Sequence, residues 1–297
     1  MDISSVRDIL KNILTEDLIF ENEPMGKHTT FRTGGCADFF VTPCNTEQIV
    51  SLLKSLKNVP HMFMGNGSNL LFRDEGYRGV VVQIGSNFAD IRVEGNKVVS
   101  KSGALLSKVA NIALEHGLGG MEFASGIPGS IGGAVAMNAG AYGGEMKDIV
   151  LSSTCVDEQG NVFEITDHQF SYRHSIFTDK KLLVLETVIG LIPNDKAQIR
   201  QQMNELNKRR KDKQPLEYPS AGSTFKRPEG YFAGKLIEDA GLKGCRIGGA
   251  MVSQKHAGFV INYHKATSTD ILNLMEHVKK EVYKKFGVEL EPEVKVV

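Results

Sequence analysis

GIPGSIGGAVAMNAGAYGGE, residues 126–145, carries seven glycines: Gly126, Gly129, Gly132, Gly133, Gly140, Gly143 and Gly144. Yet its middle, IGGAVAM, is apolar. Glycine lets the backbone aim successive N–H groups at one point with no Cβ in the way. Converging N–H groups, with the Ser130 hydroxyl, make a cradle for an anion. The apolar part then reads as a helix start packed in the core, its N-terminus aimed at a phosphate. A second loop, MGNGSNLLFRDEGYRG (64–79), has the same character, with Ser68 as its hydroxyl. A pair of tight turns against a sheet is the plainer reading. Two loops of this length favour phosphate binding.

Two common nucleotide fingerprints are absent. GNGSNL places Leu70 where the Rossmann pattern needs glycine. No G-x-x-x-x-G-K-[ST] occurs: Gly234-Lys235 lacks the earlier glycine and is followed by Leu236.

The rest of the chain bounds the answer. Its 297 residues allow one to three domains, and 41% hydrophobic content supports a sizeable core. Lys+Arg and Asp+Glu balance at 35 each, which argues against nucleic acid as a partner. MDISSVRDIL is not a signal peptide, and no apolar run is long enough to cross a membrane. Cys36, Cys44, Cys155 and Cys245 are scattered, with neither disulfide-framework nor zinc spacing. The eight histidines show no metal spacing either; His168 and His174 read as ordinary polar residues. The expectation is a soluble cytoplasmic protein with no metal, no membrane insertion and no obligatory protein partner.

Periodicity predicts an α+β chain. Helices are expected over Val6–Leu14, after Asn45 (a capping box with Gln48, then Ile49, Leu52, Leu53 and Leu56), over Leu105–Leu114 before Gly117, and over Asp195 to about Lys213. Shorter and longer ones follow at Phe232–Ala240 and Ser268–Phe286. Strands are expected at His61–Met64, Val80–Ile84 and LLVLETVIGL (182–191). IRVEGNKVVS turns at Gly95-Asn96 and TCVDEQGNVFEIT at Gly160 as hairpins, and VELEPEVKVV ends extended.

TTFRTGG (29–35), GNGSNLL, the opening stretch, SYRHSIF (171–177), AGSTFKRP (221–228) and LEPEV (290–294) occur in this order. Together, from about residue 24 to the end, they resemble the UDP-N-acetylenolpyruvoylglucosamine reductase (MurB) family. The two Gly loops alone resemble only the wider FAD-binding superfamily of vanillyl-alcohol oxidase-like (PCMH-type) enzymes. The resemblance implies an α+β fold of three domains: 1–85 with 287–297 and 86–212 clasping FAD, and 213–286 covering the substrate. It implies noncovalent FAD, so His28 is not a tether. The cofactor would be held by Arg32, by Gly65, Asn66, Gly67, Ser68 and Asn69, by Ser125, Gly126, Ile127, Pro128, Gly129 and Ser130, and by Gly132, Gly133 and Asn138.

The implied reaction is a step of peptidoglycan precursor synthesis. NADPH gives a hydride to FAD, and UDP-N-acetylglucosamine enolpyruvate is reduced to UDP-N-acetylmuramate. Such a reaction needs a clamp for developing charge and a proton donor on the correct face. The aligned residues are Arg173 as the clamp, Ser223 as the proton donor, and Glu293, nearer Val294 than Glu291 is, as the catalytic carboxyl. By residue type alone these would be a surface ion pair, a turn serine and a solvated carboxylate. Tyr172, Lys213, Arg227 and His256 match substrate-facing positions.

Two departures stand out. Only 50 positions separate Arg173 from Ser223, too few for the tyrosine-bearing loop of one subclass, so the chain resembles the shorter subclass. Lys295 stands where relatives usually have arginine. Two other readings stay open on residues alone: a FAD-dependent sugar or alcohol oxidase, and a nucleotide-binding regulator without turnover.

Overall fold

The computed structural model describes residues 3–297. Its helices are α1 (Ile3–Lys11), α2 (Thr46–Ser55), α3 (Leu106–Glu115), α4 (Ile131–Ala136), α5 (Ile176–Asp179), α6 (Lys196–Lys213), α7 (Ala233–Asp239) and α8 (Ser268–Phe286). The chain divides into two compact units. Unit 1 comprises 1–21, 39–66 and 79–210; unit 2 comprises 22–38, 67–78 and 211–297.

Unit 1 is built on two hydrophobic clusters. The first lies under α1 and α2. Asn45 Oδ1 caps α2 by accepting from the Gln48 N–H at 2.9 Å. The expected return bond closes one residue early: Gln48 Oε1 accepts from Cys44 N–H at 2.7 Å and not from Asn45. Ile49, Leu52, Leu53 and Leu56 are all buried, as their helical spacing requires. α1 is shorter at its end than expected. Leu14, beyond it, reaches the same cluster through a turn closed by Leu14 N–H on the Leu10 carbonyl. The strand His61–Met64 pairs in parallel with residues 80–83.

The second cluster lies over a five-stranded antiparallel sheet ordered Val162–Ile165, Val150–Val156, Leu183–Gly190, Lys97–Lys101, Ile91–Glu94. Both expected hairpins are present. Glu94 pairs with Lys97 across Gly95 at φ +59°, and Val156 with Val162 across Gly160 at φ +82°. The strand Leu183–Gly190 carries apolar residues on both faces because each face serves a different cluster: Leu185 the first, Val184 and Ile189 the second. α4 packs on it with Ile131, Ala134 and Val135 buried.

Unit 2 holds the three-stranded sheet Arg246–Ile247, Ala250–Val252, Val260–Asn262 against α8. Thr267 and Asp270 form a capping box at the start of α8, and Gly287 ends it at φ +67°. Residues 287–297, grouped in the sequence reading with 1–85, lie in unit 2. Leu290 and Val294 are buried in its cluster, and Lys295–Val296 pairs in parallel with Leu70–Leu71.

Candidate functional site

In unit 1 the two Gly loops meet. The strand His61–Met64 ends at Gly65, whose carbonyl accepts from Gln83 Nε2 at 3.2 Å. A Cβ on Gly65 would overlap the Ser130 hydroxyl, so only glycine lets these loops approach. GIPGSIGG is in turn fastened to residues 102–106. Leu106 N–H donates to the Gly129 carbonyl, Ile131 N–H to Ala104 and Gly132 N–H to Ser102, at 2.8–2.9 Å. A Cβ on Gly132 would fall 2.7 Å from Ser102 Cβ.

Ser102 Oγ and Ser130 Oγ are both buried and neither has a hydrogen-bond partner. A buried hydroxyl left unpaired is costly, and native structures rarely carry one without a use. Both stand where a Cβ is excluded, at the start of α4, whose Ile131 and Gly132 N–H groups are already spent on the Ala104 and Ser102 carbonyls. The two open hydroxyls, neutral donors beside a glycine-lined approach, suit a diphosphate oxygen, and FAD fits them. Ser125 Oγ donates to the Glu122 carbonyl at 2.9 Å; Gly126, Ile127, Pro128 and Gly129 carry the loop from there to Ser130. Gly133 is exposed on α4.

The remainder of the first loop runs on into unit 2. Asn66 is exposed in unit 1, whereas Gly67, Ser68 and Asn69 belong to unit 2. The Gly67 carbonyl accepts from Thr30 N–H at 3.3 Å, and the Ser68 carbonyl from Thr30 Oγ1 at 3.4 Å. Asn69 Nδ2 donates to the Glu293 carbonyl at 3.0 Å, and the Asn69 carbonyl accepts from Lys295 N–H at 3.0 Å. Asn69 therefore holds the terminal segment. Arg32, at φ +54° in unit 2, is exposed and lines a cavity of about 510 Å³ with Lys27, Asp74, Lys265 and Thr267.

Asn138 is wholly buried at φ +42°, and its amide is spent on protein groups. Nδ2 donates to the Ser171 carbonyl and to Glu145 Oε2, each at 3.0 Å; Oδ1 accepts from Lys147 N–H at 3.0 Å. It thus fixes the SYRHS turn to the Gly-rich stretch. Ser171 and His174 close that turn with two backbone bonds, leaving Tyr172 and Arg173 at its tip. Arg173 sits at φ +56°, a region costly for a residue with a Cβ. Its guanidinium lies 5.1 Å from the Tyr172 ring centre, and its Nη2 is 3.5 Å from the Gly140 carbonyl. Lys147, Asn138 and Arg173 together hold the Glu145 carboxyl below the usual carboxylate range, against the effect of burial.

In unit 2, Ser223 and Glu293 are set by one antiparallel ladder. Glu293 N–H donates to the Thr224 carbonyl at 2.9 Å, Phe225 bridges Pro292, and Lys226 N–H donates to the Glu291 carbonyl at 2.8 Å. Thr224 is fully buried. Its N–H donates to the Gly258 carbonyl at 2.8 Å, and its Oγ1 accepts from Val260 N–H at 2.8 Å. Ser223 is exposed, carried by Gly222 at φ +77°. The two nearby glutamates separate clearly: Glu291 is exposed and ion-paired with Lys226, while Glu293 is part-buried.

Lys213 is exposed at the end of α6. Arg227 Nε donates to the Tyr231 carbonyl at 3.3 Å, and its guanidinium lies 4.0 Å from the Phe232 ring centre. Burial pushes the His256 imidazole down, with Lys243 and Lys213 adding to it. Its Nδ1 accepts from Gly258 N–H at 3.1 Å, which leaves Nε2 as a donor. Among the described residues no group of three or more His, Cys, Asp or Glu could hold a metal, and no helix is long and apolar enough to cross a membrane.

Sequence reading missed Ser102, and Asn207 and Arg210 of α6. Ser102 sits in SGALL without a motif of its own. The α6 pair did carry a signal: 199, 203, 207 and 210 recur at helical spacing, so two polar residues extend an apolar stripe.

Comparison with known proteins adds independent findings. Residues 37–166 match the model of a FAD binding domain. Residues 214–297 match that of the UDP-N-acetylenolpyruvoylglucosamine reductase C-terminal domain. The chain is 52% identical over 294 residues to the reductase of that name from Caldanaerobacter subterraneus, covering 98% of this chain and 97% of the relative. It is 51% identical over 292 residues to the one from Clostridium novyi, covering 97% and 95%. The crystal structure of the reductase from Thermus caldophilus superposes with a TM-score of 0.81 at 34% identity, covering 92% of this chain and 97% of that one.

Proposed function

The chain belongs to the UDP-N-acetylenolpyruvoylglucosamine reductase family, and on that premise we propose how its own residues divide the reaction. It is a FAD-dependent oxidoreductase that uses NADPH in peptidoglycan precursor synthesis. The substrate is UDP-N-acetylglucosamine enolpyruvate and the product UDP-N-acetylmuramate. The C-terminal match over 214–297 favours this reading over a sugar oxidase or a regulator without turnover.

The cofactor is bound noncovalently, its diphosphate in the cradle of Gly65, Ser102, Ser130 and Gly132. Bound FAD supplies the hydride relay, from NADPH to the vinyl carbon of the substrate. Everything else falls to side chains. Arg173 clamps the substrate carboxylate with two parallel N–H donors and holds the charge that develops there. Its strained turn, fixed by Asn138, sets the guanidinium before substrate arrives. Ser223 Oγ–H gives its proton to the carbon beside that carboxylate. A serine hydroxyl is a weak acid, but the carbanion-like acceptor is strongly basic. Glu293 donates a hydrogen bond to the enol-like oxygen when its carboxyl is protonated. Lys213 and the Nε2–H of His256 meet the nucleotide diphosphate, with Tyr172 and Arg227 as further substrate contacts. The division into 1–85 with 287–297, 86–212 and 213–286 is proposed for these tasks, and the cytoplasm as the place.

The single observation that carries this is the ladder that sets Ser223 beside Thr224 and Glu293 against it. Anaerobic titration of the purified yellow protein tests it. NADPH should bleach the flavin, and the enolpyruvyl sugar should restore it. Bleaching without recovery eliminates the reductase and favours an oxidase. A colourless protein that takes up no FAD contradicts both.

A further inference from the structure

α6 carries an anomaly. Ile199 and Met203 are buried and Leu206 packs beside them, so this face is the helix's inner stripe. One turn on, the same stripe presents Asn207 and Arg210. They lie directly on the GIPGSIGG loop: a Cβ at Gly126 would be 2.5 Å from Asn207 Oδ1 and 3.1 Å from Arg210 Cδ. Ser125 Oγ stands 3.5 Å from Asn207 Oδ1. Gly126 is therefore glycine so that α6 can press against this loop.

Arg210 forms no ion pair with any described residue. The residue is half-buried, and burial pushes its guanidinium down from the ordinary arginine value, with Tyr142 the opposing influence. Its neighbour Arg209 lies 5.0 Å from the Tyr142 ring centre, so the aromatic is already occupied by the other arginine. A half-buried positive charge with no acid beside it is expensive unless an anion completes it. The neighbouring loop carries one unpartnered hydroxyl, Ser130, and the segment fastened to it carries the other, Ser102, but no cation is among the residues assigned to the cradle in this unit.

We propose that Arg210 is the counter-charge for the FAD diphosphate, reaching it across Gly126 while Asn207 fixes the helix to the loop. The assignment rests on the family reading above. The cradle's two neutral hydroxyls orient the diphosphate, and the guanidinium supplies the charge that they lack. Lys213, one turn further and in unit 2, is left for the substrate, so α6 carries two cations with different anions.

The test compares FAD and riboflavin, which shares the ring but has no phosphate. Flavin affinity is measured on the full-length chain for wild type, Arg210→Met and Arg210→Lys, at low and high salt. Arg210→Met should weaken FAD roughly tenfold or more, with a shallower salt dependence, and leave riboflavin unchanged. Arg210→Lys should fall between. Equal loss of FAD and riboflavin would reveal a purely structural role and overturn the assignment. Unchanged FAD affinity would overturn it too, even if KM for the UDP-sugar rose, since that places the arginine on the substrate's diphosphate. A wild type that binds no FAD overturns the family reading along with it; a wild type that binds FAD beside an unaltered variant overturns this assignment alone.

Discussion

The Glu293 N–H donates to the Thr224 carbonyl at 2.9 Å, so a backbone bond of the ladder links the proposed carboxyl to the residue beside the proposed proton donor, Ser223. Thr224 is buried and ties this pair to the sheet through Val260 N–H and the Gly258 carbonyl. Thr224→Val keeps the shape and removes the acceptor, leaving Val260 N–H unsatisfied. Urea unfolding should show a loss of about 1–3 kcal/mol. In rapid kinetics the flavin should be reduced by NADPH at the normal rate and reoxidised by substrate more slowly.

Gly222 reaches its φ of +77° with nothing within 4 Å of where a Cβ would lie. Gly222→Ala meets no neighbour, so its effect is purely one of backbone strain, about 1–2 kcal/mol. Relief of that strain would turn Ser223. The expected result is a small stability change with a marked fall in turnover; a normal turnover number would show that Ser223 does not depend on this turn.

The Gly65–Ser130 approach offers a cycle. Gly65→Ala clashes with the Ser130 hydroxyl, whereas Ser130 Cβ lies 3.4 Å from the same point. Gly65→Ala alone should be strongly destabilising. In a Ser130→Ala background the same change should cost much less, because the overlapping atom is gone. Thermal unfolding of the four proteins without flavin measures the coupling, and additive effects would contradict the geometry.

His168 gives a pH dependence with a definite sign. Burial lowers its imidazole from the ordinary 6.5. Nδ1–H donates to the Thr166 carbonyl and Nε2 accepts from Ser153 Oγ, each at 3.0 Å, so the native ring is neutral. A folded-state value below the unfolded one means that the unfolded chain binds the proton first. Stability is therefore fully present above pH 6.5 and falls as pH drops toward the lowered value. Chemical unfolding between pH 7.5 and 5 should show this decline in wild type and a shallower one in His168→Gln.

Much of the fold could be read from the sequence because local signals and tertiary needs agree. The capped stripe of α2, the run 268–286 closed by Gly287 and the two hairpin turns are local patterns, and each is present. The Gly loops also declared themselves, since close approach demands glycine whatever lies opposite. What could not be read was which side chains those loops use up. Asn69 and Asn138 sit within the motifs and read as cofactor ligands, yet their amides hold the Glu293 carbonyl and the Ser171 turn. That depends on contacts 224 and 33 residues away in sequence, which no period or spacing encodes. Ser102 was hidden for the same reason: its hydroxyl matters only because Gly132 is folded against it. By residue type Glu291 and Glu293 look alike in LEPEV, and the fold separates them by burial: the former is exposed, the latter part-buried.

The most direct measurement is stopped-flow separation of the two half-reactions in Ser223→Ala. Reduction of the flavin by NADPH should stay near the wild-type rate, while reoxidation by the enolpyruvyl sugar should slow by roughly a hundredfold or more, the usual loss for a positioned proton donor. Equal slowing of both halves, or an unaltered reoxidation, would contradict Ser223 as the proton donor.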